Sequence, residues 1–256
     1  MQVQDSLQAL LLSFGAGMAT MLGALIVIFI KSKSEKIVTV SLGFASGVMV
    51  GVSFTDMLSN ATSALSEWAG KQMGVVLSVA MLILGVLIAT GLDRLVPHEH
   101  SCDGEASHGN IYRLGMMSML AIGVHNFPEG IATFMAGISD VKLGLSIAVA
   151  IAMHNIPEGI TVAMPIYFAT GNRKRALFYT FLSGISEPVG ALLAFLLLRP
   201  FLNELMLGIV FGMVAGIMLY IAIEELIPSS RQYGYTRLAL TATFAGICLM
   251  PLTHVI

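Results

Sequence analysis

Apolar residues fall into eight long runs along the chain, separated by short polar or glycine-rich segments. The runs cover about 7–30, 37–59, 73–95, 113–136, 143–168, 176–199, 204–227 and 235–255. A helix needs roughly 20 mostly apolar residues to cross a bilayer, so each run is long enough for one span. We therefore predict an all-α membrane protein with eight transmembrane helices in a single transmembrane domain over 1–256.

Composition supports the membrane assignment and excludes other classes. Hydrophobic residues make up 56% of the chain and charged residues 11%, whereas a soluble domain carries about 25% charged residues. A water-soluble enzyme and a disordered chain are thereby excluded. With 13 basic and 15 acidic residues the chain lacks the excess of positive charge that nucleic-acid binding needs. The expected partner of its apolar surface is the lipid bilayer. Cys102 and Cys248 are too far apart to indicate a disulfide framework.

The distribution of Lys and Arg predicts the orientation of the chain. Ten of the 13 basic residues fall in the odd-numbered loops, and the even-numbered loops hold only Lys71, Lys142 and Arg199. Because cytoplasmic loops are enriched in Lys and Arg, the odd-numbered loops are predicted to be cytoplasmic. With eight spans, both termini then lie outside the cell membrane.

Three internal similarities relate different parts of the chain. HNFPEGIA at 125–132 recurs as HNIPEGIT at 154–161, and GVMVGVSFTDML at 47–58 resembles GIMLYIAIEELI at 216–227. The first and sixth runs share a weaker glycine pattern, which chance can also produce among Gly/Ala/Leu-rich helices. In the predicted topology the two members of each pair cross the membrane in opposite directions. Inverted repeats around a midplane site are typical of secondary transporters.

Acidic residues inside the runs are the most unusual feature of the sequence. They are Asp56, Glu129, Glu158, Glu187, Glu224 and Glu225. We expect no Lys or Arg within a span to neutralise them, and an unpaired acid at a helix centre costs about 2.5–3.5 kcal/mol. These acids must line a wet cavity, be protonated or hold a cation. For Asp56, Glu224 and Glu225, which lie near span ends, a snorkelling or capping role is the alternative.

The repeated motif indicates a divalent metal. His125 and Glu129 are four residues apart and share a helix face, and His154 and Glu158 repeat the arrangement. Imidazole nitrogen with carboxylate oxygen suits Zn²⁺ and neighbouring first-row metals. The proline inside each motif removes one helix hydrogen bond and is expected to kink the helix. A packing kink with a satisfied histidine is the alternative for either motif alone.

HNFPEG, HNIPEG and GISEPVG at 184–190 resemble the signature of the ZIP (Zrt/Irt-like) metal transporters, and the chain is similar to their bacterial ZupT/GufA-type branch. The likeness covers essentially the whole length, including DRLVPH at 93–98 and EELIP at 224–228. It implies eight spans in a 3+2+3 arrangement and usually a homodimer. The implied activity is import of Zn²⁺, and often of Fe²⁺, Mn²⁺, Co²⁺ or Cd²⁺, with no organic cofactor.

The resemblance also implies roles for individual residues. The positions matching the family's transport-site ligands are His125, Asn126, Glu129, His154, Asn155, Glu158 and Glu187. Met49 matches a position near that site, and Asp56 and Glu225 match positions on the pathway. Met218, the repeat partner of Met49, and Glu224 are further pathway candidates. Some members carry aspartate in place of Asn155, which leaves open whether one metal or two bind.

A polar loop at 96–112 is rich in metal-binding side chains and is predicted to be cytoplasmic. Its candidates are His98, His100, Cys102 and His108. A merely solvated loop is the alternative.

The sequence disfavours two alternatives to an importer. A membrane-embedded metalloprotease needs H-E-x-x-H, a string that this chain lacks. A metal-efflux carrier is disfavoured by the HNxPEG motifs. We therefore expect a transporter and not an enzyme.

Overall fold

The computed structural model describes residues 3–29, 35–95, 108–139, 141–198 and 203–253. Within these ranges the α-helices are α1 (Val3–Phe29), α2 (Glu35–Val52), α3 (Leu58–Ala69), α4 (Lys71–Leu95), α5 (His108–Ser139), α6 (Val141–Thr170), α7 (Arg173–Gly184), α8 (Ser186–Leu193), α9 (Glu204–Tyr220), α10 (Ile227–Arg231) and α11 (Thr236–Thr253). The described part of the chain contains no strand, and the all-α class is confirmed.

Among the described residues, helices coincide with all eight apolar runs, and at two places a helix extends beyond the run. The second run was expected to end near residue 59, and the structure continues through α3 to Ala69. This extension is amphipathic, burying Ala61, Ala64 and Leu65, so hydropathy alone ends the span too early. The turn is confined to Gly70, whose φ of 82° belongs to the left-handed region.

The second difference concerns the predicted loop at 96–112. Its last five residues belong to α5, which begins at His108. His98, His100 and Cys102 lie outside the described residues, so their predicted role stays a prediction.

Three π-helical segments occur among the described residues: Ala194–Leu198 follows α8, and the other two interrupt long helices at related places in the sequence. Ser53–Met57 joins α2 to α3 and carries Asp56, and Ile221–Leu226 joins α9 to α10 and carries Glu224 and Glu225. Asp56 and Glu225 are the acids that the sequence repeat pairs. Because single-turn π segments occur frequently at functional sites, this location favours a functional role for both acids.

Packing between helices follows a paired pattern. α5 and α6 pack on each other, α1 packs on α6, and α8 packs on α5. Farther from this pair, α4 packs on α9 and α11 packs on α2. The helices that carry the HNxPEG motifs are therefore packed against α1 and α8, which also contact each other.

Glycines allow the outer helix pairs to approach closely. A Cβ atom on Gly47 of α2 would overlap the carbonyl of Thr243 in α11, and one on Gly216 of α9 would overlap the carbonyl of Leu82 in α4. Gly47 and Gly216 are repeat partners in the sequence. Small residues at these contacts are typical of helix packing in membranes.

Within the described ranges, six helical segments are long and apolar enough to cross a membrane. They are Ser6–Phe29, Glu35–Ala69, Lys71–Gly91, Ile147–Thr170, Arg173–Leu196 and Leu205–Arg231. A shorter apolar stretch, Thr236–Leu252, lies in α11. Large apolar side chains such as Val76 and Leu87 on α4 are 62% exposed, as expected for a surface that faces lipid.

Candidate metal centre

The two HNxPEG motifs meet in the interior of the helix bundle. α5 continues through Pro128 and α6 through Pro157, so His125 and Glu129 stay one turn apart on α5. His125, Glu129, His154 and Glu158 are all at most 3% exposed. The predicted shared face is confirmed, because His125 Nε2 lies 3.3 Å from Glu129 Oε1.

Distances between these side chains suit a single bound metal ion. His154 Nε2 lies 3.0 Å from Glu129 Oε1, and His125 Nε2 lies 3.4 Å from Glu158 Oε1. Zinc–ligand bonds of about 2.0–2.1 Å in a tetrahedron separate neighbouring ligand atoms by about 3.3 Å. One ligand atom each from His125, Glu129 and His154 can be chosen so that all lie within 4.8 Å of one another.

Several polar atoms of this cluster lack a hydrogen-bond partner among the described residues. They are both ring nitrogens of His125, both carboxylate oxygens of Glu158, Oε2 of Glu129, Oε1 of Glu187, and Oδ1 of Asn126 and Asn155. Buried polar groups are ordinarily hydrogen-bonded, and a buried charge without compensation costs several kcal/mol. Nearly all the orphaned atoms can act as metal ligands, and a divalent cation would satisfy them.

The amide nitrogens of both asparagines are engaged in hydrogen bonds, whereas their side-chain oxygens are buried without a partner among the described residues. Asn155 Nδ2 donates to the Ala16 carbonyl and to Glu187 Oε2, both at 2.9 Å. Asn126 Nδ2 donates to the Ser183 carbonyl at 3.5 Å. Glu187 is thereby connected to the α6 motif through Asn155. All seven predicted transport-site residues lie in the buried interior of the bundle.

The predicted pathway residues lie in different environments. Asp56 is half-buried and accepts a hydrogen bond from Thr55 Oγ1 at 2.6 Å, whereas Glu224 is exposed. Met49 and Met218 are each 1% exposed and belong to the main apolar core, so their role as soft ligands stays a prediction.

One ion-pair network brings a basic residue of the third predicted loop against an acid near a span end. Arg113, the first residue of the fourth apolar run, pairs through Nη2 with Asp93 Oδ1 and through Nη1 with Glu225 Oε1 at 3.3 Å. Tyr220 donates to Asp93 Oδ2 at 3.2 Å. Sequence reasoning missed Arg113 because a basic residue at the edge of an apolar run reads as part of a loop.

Known proteins with similar sequences show the family of this chain. A sequence model of the family described as ZIP zinc transporter matches residues 97–253. The zinc transporter ZupT of Chlorobium luteolum is 45% identical, over 96% of this chain and 96% of that protein. The corresponding proteins of Lysinibacillus sphaericus and Streptococcus mutans are 44% and 39% identical, over at least 96% of each chain. This chain belongs to the ZIP zinc transporter family.

The similarity to ZIP transporters covers the part of the chain that forms the buried cluster. The matched region 97–253 includes both HNxPEG motifs and Glu187. The full-length similarity adds α1 to α4, including Asp56 and the Asp93 partner of Arg113.

Proposed function

We propose that this protein imports Zn²⁺ across the cell membrane into the cytoplasm, through the buried site formed by α5, α6 and α8. The observation that carries the proposal is the meeting of His125, Glu129, His154 and Glu158, with His–carboxylate distances of 3.0–3.4 Å. Relatives named as zinc transporters support Zn²⁺ as the cargo. The resemblance to ZIP transporters adds Fe²⁺, Mn²⁺, Co²⁺ and Cd²⁺ as the other candidate cargoes.

The ligand set of the proposed site has seven members: His125, Asn126, Glu129, His154, Asn155, Glu158 and Glu187. Asp56 and Glu225 are proposed to lie on the pathway, towards the outer and the cytoplasmic end respectively. Glu224, Met49 and Met218 are further pathway candidates, and His98, His100, Cys102 and His108 are candidates for a cytoplasmic metal-binding loop. The chain forms one transmembrane domain over 1–256 in this proposal, with the loop at 96–112.

The architecture proposed for this site is a 3+2+3 arrangement of eight spans with inverted repeats. Repeat partners make equivalent contacts, which supports the proposal: Gly47 approaches the Thr243 carbonyl as Gly216 approaches the Leu82 carbonyl. In this scheme α4 corresponds to α11 and α5 corresponds to α6. The first three spans would then be related to the last three by a pseudo-two-fold axis in the membrane plane.

The proposed topology has both termini outside and the odd-numbered loops in the cytoplasm. Two contacts support a common face for these loops. The Lys36 ammonium lies 5.4 Å from the centroid of the Tyr235 ring, and Arg113 pairs with Glu225. The excess of Lys and Arg at this face supports its cytoplasmic assignment in the cell (inner) membrane. A homodimer is proposed from the family resemblance alone.

The test is Zn²⁺ uptake into proteoliposomes containing the purified protein. Wild type should accumulate Zn²⁺, and competition with Fe²⁺, Mn²⁺, Co²⁺ and Cd²⁺ would rank the cargoes. Glu158→Ala should abolish uptake, because the remaining ligands form an incomplete and uncompensated site. Glu67→Ala, at an exposed acid on α3, is the matched control and should transport normally.

Near-normal uptake by Glu158→Ala would refute the assigned site. Wild-type vesicles that accumulate no Zn²⁺ would refute the function itself. A metalloenzyme would instead cleave peptide without flux, and an efflux carrier would move Zn²⁺ only from the cytoplasmic side outwards.

A further inference from the structure

The contacts of α1 with α6 repeat those of α7 and α8 with α5, residue by residue. Asn155 of α6 donates to the Ala16 carbonyl, and Asn126 of α5 donates to the Ser183 carbonyl. Asn126 and Asn155 are 29 positions apart, and Ala16 and Ser183 are 167 positions apart. The same two offsets therefore relate both members of each contact.

A second pair of contacts has the same offsets. A Cβ on Gly159 would overlap the Thr20 carbonyl, and a Cβ on Gly130 would overlap the Glu187 carbonyl. Gly130 and Gly159 are again 29 positions apart, and Thr20 and Glu187 are 167 positions apart. The backbone of Thr20 thus occupies, against α6, the place that the backbone of Glu187 occupies against α5.

The side chains of Thr20 and Glu187 also start in equivalent directions. A Cβ built on Gly17 would lie 3.0 Å from Glu187 Cβ, and a Cβ built on Gly184 would lie 3.2 Å from Thr20 Cβ. Both Thr20 and Glu187 are fully buried. Equivalence therefore extends from the backbone to the first side-chain atom.

The two positions differ in what they offer the site. Glu187 Oε2 accepts a hydrogen bond from Asn155, whereas Thr20 Oγ1 has no partner among the described residues. The equivalent donor for position 20 is the side-chain amide of Asn126. Among the described residues this amide donates one long hydrogen bond, of 3.5 Å, to the Ser183 carbonyl. Other buried hydroxyls, such as that of Thr39, also lack a partner among the described residues, so the place of Thr20 opposite Glu187 is what distinguishes it. A ligand or water would satisfy its hydroxyl.

We infer that Thr20 is a further metal-contacting position of the transport site, the neutral counterpart of Glu187 across the pseudo-two-fold axis. It supplies a hydroxyl oxygen where Glu187 supplies a carboxylate, and so limits the buried acids to Glu129, Glu158 and Glu187. The hydroxyl acts on the passing hydrated cation as a weak, uncharged oxygen donor. This inference rests on the proposed function, and it concerns α1, which contains none of the predicted ligands.

The first test compares removal of this hydroxyl with removal of an equivalent one elsewhere. Thr20→Val keeps the shape of the side chain, and Thr20→Ser keeps the hydroxyl. Thr39→Val is the matched control, because Thr39 on α2 is also fully buried with an unpartnered hydroxyl. In Zn²⁺ uptake, Thr20→Val should raise the half-saturating concentration roughly three- to tenfold, the equivalent of one lost hydrogen bond. Thr20→Ser and Thr39→Val should leave it unchanged.

The second test moves the carboxylate across the axis. Glu187→Gln should lose most of the Zn²⁺ uptake. Combining Glu187→Gln with Thr20→Glu should give at least about fivefold more uptake than Glu187→Gln alone, the size expected for coupled sites. Asn126 would serve the new carboxylate as Asn155 serves Glu187. The double variant with Thr20→Asp covers the case in which glutamate is too large for position 20. Amounts in the membrane and elution profiles establish that each variant is folded.

The outcomes separate this inference from the proposed function. If wild type transports Zn²⁺ but Thr20→Val behaves like Thr39→Val, the role of Thr20 is refuted and the function stands. If neither double variant exceeds Glu187→Gln although both are folded, the equivalence with Glu187 is refuted. If wild type does not transport Zn²⁺, the function fails before any variant is compared.

Discussion

Neutralising Arg113 should destabilise the protein far more than removal of an ordinary surface charge. Its guanidinium contacts Asp93 and Glu225, and all three side chains are only 13–14% exposed. Removing one partner of a fully buried pair costs about 3–5 kcal/mol, whereas exposed pairs contribute about 0–1 kcal/mol. For a network at this depth, Arg113→Gln should cost about 2–4 kcal/mol, since two carboxylates then face each other without a counter-charge.

That loss is large enough to measure by thermal unfolding in detergent. For a chain of this size each kcal/mol shifts Tm by about 2–4 °C, so Arg113→Gln should lower Tm by roughly 4–16 °C. Arg237→Gln, at an exposed arginine on α11, is the control and should shift Tm by less than about 2 °C. Combining Arg113→Gln with Glu225→Gln should be less destabilising than the two single effects added together, because each removes the same interaction.

Two results would refute this reasoning. One is a Tm for Arg113→Gln within about 2 °C of wild type, the range of the surface control. The other is strict additivity of Arg113→Gln and Glu225→Gln, which would mean that these two side chains do not interact in the folded protein.

Three further predictions concern packing, direction and the loop. Gly130→Ala should impair folding and uptake because its Cβ would overlap the Glu187 carbonyl, whereas Gly123→Ala on the same helix has open space and should be tolerated, as measured by membrane expression and Zn²⁺ uptake. Asp56→Ala should mainly raise the half-saturating external Zn²⁺ concentration, since the anion concentrates cations at the mouth, and Glu225→Ala should mainly lower the maximal rate. Equal changes in one parameter would contradict that assignment. Replacing His98, His100 and Cys102 together by alanine should leave the protein folded and alter only the rate of uptake; loss of membrane insertion would contradict the interpretation of a polar loop.

Hydropathy could predict the helices but not all of their ends. All eight apolar runs are helical, because burial of a mostly apolar surface and satisfaction of backbone hydrogen bonds both favour helices in a bilayer. The helical structure continues past the second run because α3 is amphipathic and buries only Ala61, Ala64 and Leu65. Hydropathy averaged over a window of sequence measures how apolar a segment is, but not on which side of the helix its apolar residues lie.

Spacing could predict that His125 shares a face with Glu129, because both lie one turn apart on a single helix. The distance of 3.0 Å between His154 and Glu129 joins two helices and could only be suggested by the repeat. The pairing of Arg113 with Glu225 joins residues 112 positions apart and has no signal in local sequence. Contacts of this kind depend on tertiary packing, which periodicity within one helix does not describe.

Thr20 was missed for a different reason, since the information needed to find it was in the sequence. The weak similarity between the first and sixth runs already aligns Thr20 with Glu187, but a match between a threonine and a glutamate carries no chemical resemblance. Only equivalent contacts with Gly130 and Gly159 make the alignment meaningful. A repeat can retain its backbone register while its side chains diverge, and a functional position can then be identified by its place in the repeat. The residue type of Thr20 alone indicates only a hydroxyl in an apolar helix.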